Sequence, residues 1–556
     1  MALINYNEEL ESKELQKKFE RLPLTKSSSK DDIAAEAKRS FKPRRYVAIK
    51  IFKKRYPKER IKTTKPPHRT EGIKTSKPPH RTERPSKDFA SAPGGKPTES
   101  YKPQNDAEAT FKDDELSKPW KCIDKSKMHE EMLRKLEKYW RENPTKFKFV
   151  NGVLVIFSEE FLLGKGSDGA RVYLALGKDG YGKAVKRLLQ DSCTELAKQE
   201  KDILIEFNAK RSNYVVSWYL EEESGAEYTH LVLDLCEESL ESFVESSTFD
   251  DLQKALPTIL KQILKGLADL HSGPCPILHR DLRPSNVLRD VQGNFLIADF
   301  GISRILSDET STHRSIQRGA KNWIAPESYD ACDASIDKAR YNKQSDVMNA
   351  GMVAYYVATK GKHPFGHERL RLDNILKGNP VGLDEIEDAT LKDLLSWMLQ
   401  LKPEDRPLAN EALKHPFLMS DDVKFEMLCK VGNQRPIKIN DVNSSVVQHL
   451  NSEPSDWKSR IHHDAYDYFC TDKVSGKIVK YGPSWTDCLR FIRNCCLHWY
   501  DKPRPTPQPE PLEKIGDPKE YFLETFPNLP VLVHAAVRSN NEWKNKPELK
   551  TFFIFH

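Results

Sequence analysis

At 556 residues the chain exceeds what a single domain usually holds, which excludes one core as its whole content. Its formal charge is +7, but about +11 falls in the first 120 residues, so the remainder is slightly acidic and is excluded as a uniformly basic nucleic-acid binder. Ten cysteines without a CxxC pair exclude a zinc ribbon or small disulfide framework and fit a reducing, cytoplasmic setting.

The N-terminal stretch from Met1 to about Cys122, residues 1–124 as a segment, is rich in Lys, Arg, Ser and Pro. Such a composition buries too little apolar surface to offset chain entropy, so a largely disordered tail is expected. Glu8 and Glu9 stand where a secretory signal carries basic and then apolar residues, and no apolar run reaches the roughly 20 residues of a membrane helix. A soluble, cytoplasmic protein is expected, with recruitment to the endoplasmic reticulum surface or nucleus left open. The tail holds a tandem repeat, IKTTKPPHRTEG from Ile61 and IKTSKPPHRTER from Ile73, too polar and proline-broken to stack as a solenoid. The basic stretch Lys38 to Arg60 suits RNA or another anionic partner, or is a solvated linker.

Between Lys125 and Asn143, Met128, Met132, Leu133, Leu136, Tyr139 and Trp140 recur at helical spacing until Pro144 stops them. This predicts an amphipathic helix with a lead-in strand over 125–158. LGKGSDGARVYLA then places Gly164, Gly166 and Gly169 between two strand-like runs, a turn whose backbone N–H groups can close over nucleotide phosphates. Lys186 in KAVKRL follows on a strand, where it can pair the α- and β-phosphates, and Glu200 lies on a later helical segment able to anchor it, with Glu195 the lesser choice. ILHRDLRPSNVL contains Asp281 and Asn286, and LIADFG contains Asp299: a loop carboxylate, an amide and a metal-binding carboxylate for phosphoryl transfer with ATP and magnesium. Ala325, Pro326, Glu327, Asp346 and Arg406 complete the set, with a Glu327 to Arg406 ion pair expected.

On these motifs residues 159–417 resemble a eukaryotic protein kinase. The resemblance implies Leu233 as gatekeeper, and a hinge including Asp234 and Cys236 whose backbone holds adenine. Arg283 replaces the usual lysine after the loop carboxylate, and Ala320 a usual threonine, which sets phosphorylation of other proteins in question while leaving ATP and ADP binding intact. Ser303, Ser307, Thr310, Ser311, Thr312 and Ser315 lie beside Arg304, Arg314 and Arg318, where self-phosphorylation would order the loop.

The chain continues past Phe417 without a Pro/Ser-rich linker, which predicts a module packed directly on the kinase. In YGPSWTDCLRFIRNCCLHWYD, Ser484 caps a helix with Asp487 in the box position, and Leu489, Ile492 and Cys496 form its buried stripe. Asn494 and His498 then lie one turn apart with Arg493 beside them. With Tyr481 they suit RNA cleavage by a neighbouring 2′-hydroxyl. His498 gives a proton to the leaving oxygen, Arg493 and Asn494 hold the phosphate charge, and Tyr481 helps activate the hydroxyl. No carboxylate cluster accompanies them, so no metal is called for. Cys488, Cys495 and Cys496 read as core thiols before a zinc set.

VGNQRPIK from Val431, SDWKSRI, the FIRN helix and KIGDPKEYFLETFPNLPVLVH from Lys514 resemble the kinase-extension nuclease of the family that includes ribonuclease L and the inositol-requiring stress sensor of the endoplasmic reticulum. The resemblance spans residues 418–556, with Pro483 and the proline-rich insertion Lys502 to Glu513 as departures. It implies an α+β chain: a bilobal kinase fold followed by a mainly α-helical nuclease domain. It also implies a homodimer or higher oligomer assembled through nucleotide binding, with RNA as substrate in RNA processing, decay or stress signalling. Two other readings stand beside it: a kinase whose extension is only a docking platform, and a non-enzymatic RNA-binding scaffold.

Overall fold

The computed structural model describes residues 120–150, 152–166, 169–189, 203, 211–224, 228–273, 275–305, 313–315, 321–329, 339–471, 476, 478–498 and 517–554. The tandem repeat, the basic stretch, Glu195, Glu200, Ser307 to Thr312, Ala320 and the insertion at Lys502 to Glu513 lie outside them.

Helical periodicity builds the first element, α1 (Glu130–Glu142), which buries Leu133, Leu136 and Trp140. These residues occupy one helical face and pack on Leu154, Leu174, Leu176 and Ala184 of the adjoining sheet. The helix starts later than its apolar spacing predicts, because Ile123–Lys125 closes a separate 3-10 turn and Met128 stays exposed ahead of it. Packed contacts begin at Trp120 and Cys122, within the last few residues of segment 1–124. Trp120 donates from Nε1 to the Gly177 carbonyl at 2.6 Å, and the Cys122 N–H to that of Gly180 at 3.0 Å.

β1 (Lys148–Val150), β2 (Val153–Val155), β3 (Leu162–Lys165), β4 (Arg171–Gly177), β5 (Gly182–Leu189), β6 (Trp218–Ser224) and β7 (Tyr228–Asp234) form one antiparallel sheet. Its order is β1-β2-β4-β5-β7-β6, with β3 also on β4. Val172 and Leu231 flank Lys186 in register, which holds that lysine in mid-sheet.

In the second lobe β8 (Cys236–Ser239) leads into α2 (Leu240–Ser246) and α3 (Phe249–Leu270), followed by β9 (Ile277–Leu278), β10 (Val287–Asp290) and β11 (Phe295–Ile297). The ladder β11-β10-β8 ties the catalytic segment to the hinge. Leu260, Ile263, Leu264 and Leu267 of α3 share a buried core with Val347, Ala350, Val353 and Ala354 of α4 (Lys343–Ala358). The expected pair closes this lobe: Arg406 donates to both oxygens of Glu327, at 2.7 and 3.0 Å. α5 (Glu368–Lys377) and α6 (Ala389–Met398) complete it.

The chain then runs directly into a helical module built from α7 (Asp421–Gly432), the helix His463–Cys470, α8 (Trp485–His498), α9 (Pro518–Thr525), α10 (Leu529–Arg538) and shorter turns. Its separate core gathers Leu428, Val431, Trp457, Leu489, Phe491 and Ile492. The architecture is therefore α+β, a bilobal kinase-like fold followed by a mainly helical domain. Among the described residues no helix is long and apolar enough to cross a membrane.

Candidate active sites

Between the lobes lies a cleft of about 580 Å³, lined by Gly164, Gly166, Lys186, Asp281, Asn286 and Asp299 among others. The glycine turn folds over it with the Gly166 N–H donating to the Ala170 carbonyl at 2.8 Å and Gly169 at φ +78. Lys186 reaches Asp299 at 2.9 Å, and its ammonium holds that carboxyl below the usual carboxylate range. Asn286 donates from Nδ2 to the Asp281 carbonyl at 2.8 Å and to its carboxylate at 2.9 Å. The amide nitrogen is thus spent on Asp281, so the atom Asn286 can offer a cation is its oxygen; it and the Asp299 carboxylate line the same cleft, and both fit magnesium, an oxygen-seeking ion.

A buried carboxylate organises these loops. Asp346 accepts the N–H groups of His279 and Arg280 at 2.8 and 2.9 Å and the His271 ring at 2.9 Å. Burial alone would raise its carboxyl, but these bonds prevail and hold it low. The His279 ring in turn meets the Ala298 carbonyl at 3.0 Å, joining the catalytic and metal-binding segments.

The hinge residues behave differently from one another. The Asp234 carboxylate is engaged by Lys183 at 3.1 Å, and burial pushes the Cys236 thiol up to about 12. The Asp234 side chain is thus engaged and the Cys236 thiol stays neutral; Leu233 lines the cleft beside them. Arg283 stands 4.0 Å from the Asp281 carboxylate. Ser303 leaves the set of phosphorylation candidates, because it is fully buried and donates to the His279 carbonyl at 2.9 Å. Motif reading missed Met128 and His129, which also line the cleft. Glu237 holds them there by accepting the N–H groups of Lys127 at 3.1 Å and Met128 at 2.7 Å, while the His129 ring meets the Glu237 carbonyl at 2.9 Å.

In the helical module Ser484 caps α8 as expected, accepting the Asp487 N–H at 3.2 Å and donating to its carboxylate at 2.9 Å. Arg490 takes the other Asp487 oxygen at 2.6 Å, so Asp487 serves the helix start. The buried stripe is Cys488, Leu489, Phe491, Ile492 and Cys495; Cys496, expected there, is only half-buried.

Along the next face the side chains form a connected run. Arg493 donates from Nε to Asn433 at 3.1 Å and from Nη1 to Asn494 at 2.7 Å. Asn494 donates from Nδ2 to the Tyr481 hydroxyl at 2.7 Å. Burial raises the Tyr481 phenol, against the Asn494 bond that lowers it, so it is neutral at neutral pH. His498 is exposed, one helical turn beyond Asn494. Lys458 donates to the Tyr481 carbonyl, and both border a recess of about 440 Å³ with Tyr466, Ile478 and Lys480. Asn433 was not foreseen; its signal was the VGNQRPIK segment itself.

Two family profiles match the chain: the protein kinase domain over residues 157–418 and Ribonuclease 2-5A over residues 424–553. The chain belongs to the kinase/endoribonuclease family. It is 31% identical to the human serine/threonine-protein kinase/endoribonuclease IRE2 over 69% of this chain and 41% of that protein. It is 29% identical to the Caenorhabditis elegans serine/threonine-protein kinase/endoribonuclease ire-1, over 69% of this chain and 39% of the relative. Against the Schizosaccharomyces pombe sensor for unfolded proteins in the ER, ire1, identity is 29% over 69% and 37%. The chain thus spans about two fifths of the length of these relatives.

Proposed function

We propose that this chain is an ATP-binding serine/threonine protein kinase coupled to a metal-independent endoribonuclease, with the kinase at 159–417, the nuclease at 418–556, residues 125–158 as the kinase's lead-in and 1–124 as a basic tail. The carrying observation is the run Asn433, Arg493, Asn494, Tyr481, with His498 one turn on. It supplies a cation, amide donors, a neutral phenol and an exposed imidazole, and Asp487, the carboxylate on the same helix, is committed to Ser484 and Arg490.

In the nuclease, Arg493 and Asn494 hold the scissile phosphate, Tyr481 orients the attacking 2′-hydroxyl, and protonated His498 delivers a proton to the leaving 5′-oxygen. In the kinase cleft Gly164, Gly166 and Gly169 cover the phosphates of ATP or ADP, Lys186 pairs them and is anchored by Glu200, and the Asp234 and Cys236 backbone holds the base. Asp281 receives the substrate hydroxyl's proton; magnesium, held by Asn286 and Asp299, offsets phosphate charge when bound. Nucleotide-dependent dimerisation assembles the nuclease, a reading that rests on the family likeness and on the direct packing of the two modules.

The test is cleavage of a labelled single-stranded RNA and a stem-loop RNA, in EDTA and in magnesium with ADP, at low and high protein concentration. We expect metal-free cleavage that rises with protein concentration and falls at least about 10²-fold in His498→Ala. No cleavage under any condition, beside intact kinase activity, would reduce the module to a docking platform.

A further inference from the structure

Cys429 on α7 and Cys496 on α8 have no part in the reading above, yet they meet next to its reactive residues. The helices run close: a Cβ on Gly432 would lie 2.7 Å from the Leu489 carbonyl oxygen and 3.1 Å from the Arg493 Cβ. Asn433 is bonded to Arg493 at the same crossing. Cys429 lies about a turn before Gly432 on α7, and Cys496 about a turn after Arg493 on α8. Asn440, beyond the end of α7, accepts from Thr486 at the start of α8 at 2.9 Å, so the chain leaving α7 runs back along α8 and the Cys429 turn lies against the Cys496 turn. Both cysteines are half-buried, whereas Cys470, Cys488 and Cys495 are enclosed in the core. Cys496 also stands between Asn494 and His498 in the chain.

We propose that Cys429 and Cys496 are a peroxide-sensitive pair, and that the disulfide they form suppresses RNA cleavage by displacing His498. The suppression rests on the nuclease reading; the disulfide does not. Reactivity follows from their inequality. The neighbouring Cys429 thiol draws the Cys496 thiol down to about 7, against its burial, while Cys496 and burial push Cys429 up. Cys496 is therefore partly thiolate at neutral pH, and the thiolate is the nucleophile.

Its sulfur attacks one oxygen of hydrogen peroxide. An S–O bond forms, the O–O bond breaks, and hydroxide leaves to take a proton as water. The Cys429 sulfur then attacks the Cys496 sulfur; S–S forms, S–O breaks, and the thiol proton departs with the hydroxide as a second water. The sulfur pair loses two electrons and the peroxide gains them. A covalent S–S bond is shorter than any non-bonded contact between two thiols, so closing it draws the last turn of α8 onto α7 and carries His498 with it. Misplacing a catalytic group by about 1 Å costs on the order of 10²-fold in rate.

The experiment treats the full chain with hydrogen peroxide, blocks remaining thiols, and reads both the digested peptides by mass spectrometry and RNA cleavage in EDTA. We expect a cross-linked peptide pair containing Cys429 and Cys496, at least a tenfold loss of cleavage, and recovery with dithiothreitol. Cys429→Ser and Cys496→Ser should keep basal cleavage and resist peroxide. Absence of the cross-link, or equal peroxide sensitivity in the serine variants, overturns the proposal. If the reduced protein cleaves no RNA, the nuclease reading fails and the suppression with it, while the cross-linked peptide still decides whether the pair is an oxidation site.

Discussion

Asn494 works in two directions at once: its oxygen accepts from Arg493 and its nitrogen donates to the Tyr481 hydroxyl. Asn494→Asp is nearly isosteric and keeps the acceptor for Arg493, but it has no N–H to give the phenol. We therefore expect cleavage to fall about 10²-fold, the usual loss for one positioned donor, with little change in melting temperature. Single-turnover cleavage and a thermal melt would show it; an unchanged rate would remove Asn494 from the site. The closeness of Tyr481, Arg493 and Asn494 was within reach of the sequence because they lie in one helix and the loop before it, but choosing them and His498 as a site rested on the family resemblance. Asn433 was not assigned, since it comes from a helix 60 residues away. Glu200 lies outside the described residues and keeps its role as a proposal.

The segment ahead of the kinase shows what contacts do that local pattern cannot announce. Its α1 face was legible from apolar spacing, but its start was not. The chain turns at Glu237, whose carboxylate accepts two backbone N–H groups from residues about 110 positions earlier. Glu237→Ala leaves both donors without that acceptor. At about 1 kcal/mol for a part-buried hydrogen bond, the variant should melt earlier, and Met128 and His129 should loosen at the cleft. Weaker ADP binding together with faster proteolysis before α1 would confirm the latch. An unchanged melt and unchanged ADP affinity would deny it. The α8 stripe makes the same point. Cys495 and Cys496 are both defensible by helical period, and only the closeness of α7, which is set by Gly432, decides that Cys495 is enclosed and Cys496 turns to Cys429.

Two modules expected to pack directly do so through a junction that no motif announced. Asp393 of α6 accepts both guanidinium nitrogens of Arg538 on α10, one at 3.0 Å, and the His415 ring at 2.8 Å. His534 lies fully buried beside them, 5.1 Å from the His415 ring and stacked on Phe553 at 5.0 Å. The contact joins residues 145 apart, and such a pairing has no local signature.

Its charges make the junction sensitive to acid. Burial would raise the Asp393 carboxyl, but His415 and Arg538 hold it well below the usual range. Burial holds both His415 and His534 below an ordinary imidazole. Unfolded, each histidine takes a proton near pH 6.5; folded, it does not. The unfolded chain thus binds more protons below that pH, and stability falls as pH drops from about 6.5 toward the folded values. Asp393 contributes above its unfolded value of about 4 and weakens only at lower pH, so it is silent in this window.

His230 and His363, lowered by burial to about 4 and about 3, add to the same slope within the kinase lobes. A single variant is needed to isolate the junction. His534→Gln removes one titrating ring, so the loss of stability between pH 7.5 and 5.5 should shrink by about 1 to 1.5 kcal/mol, one pH unit of one proton. Denaturant melts of both chains across that window measure it. Parallel curves would mean that His534 takes no part in the acid response.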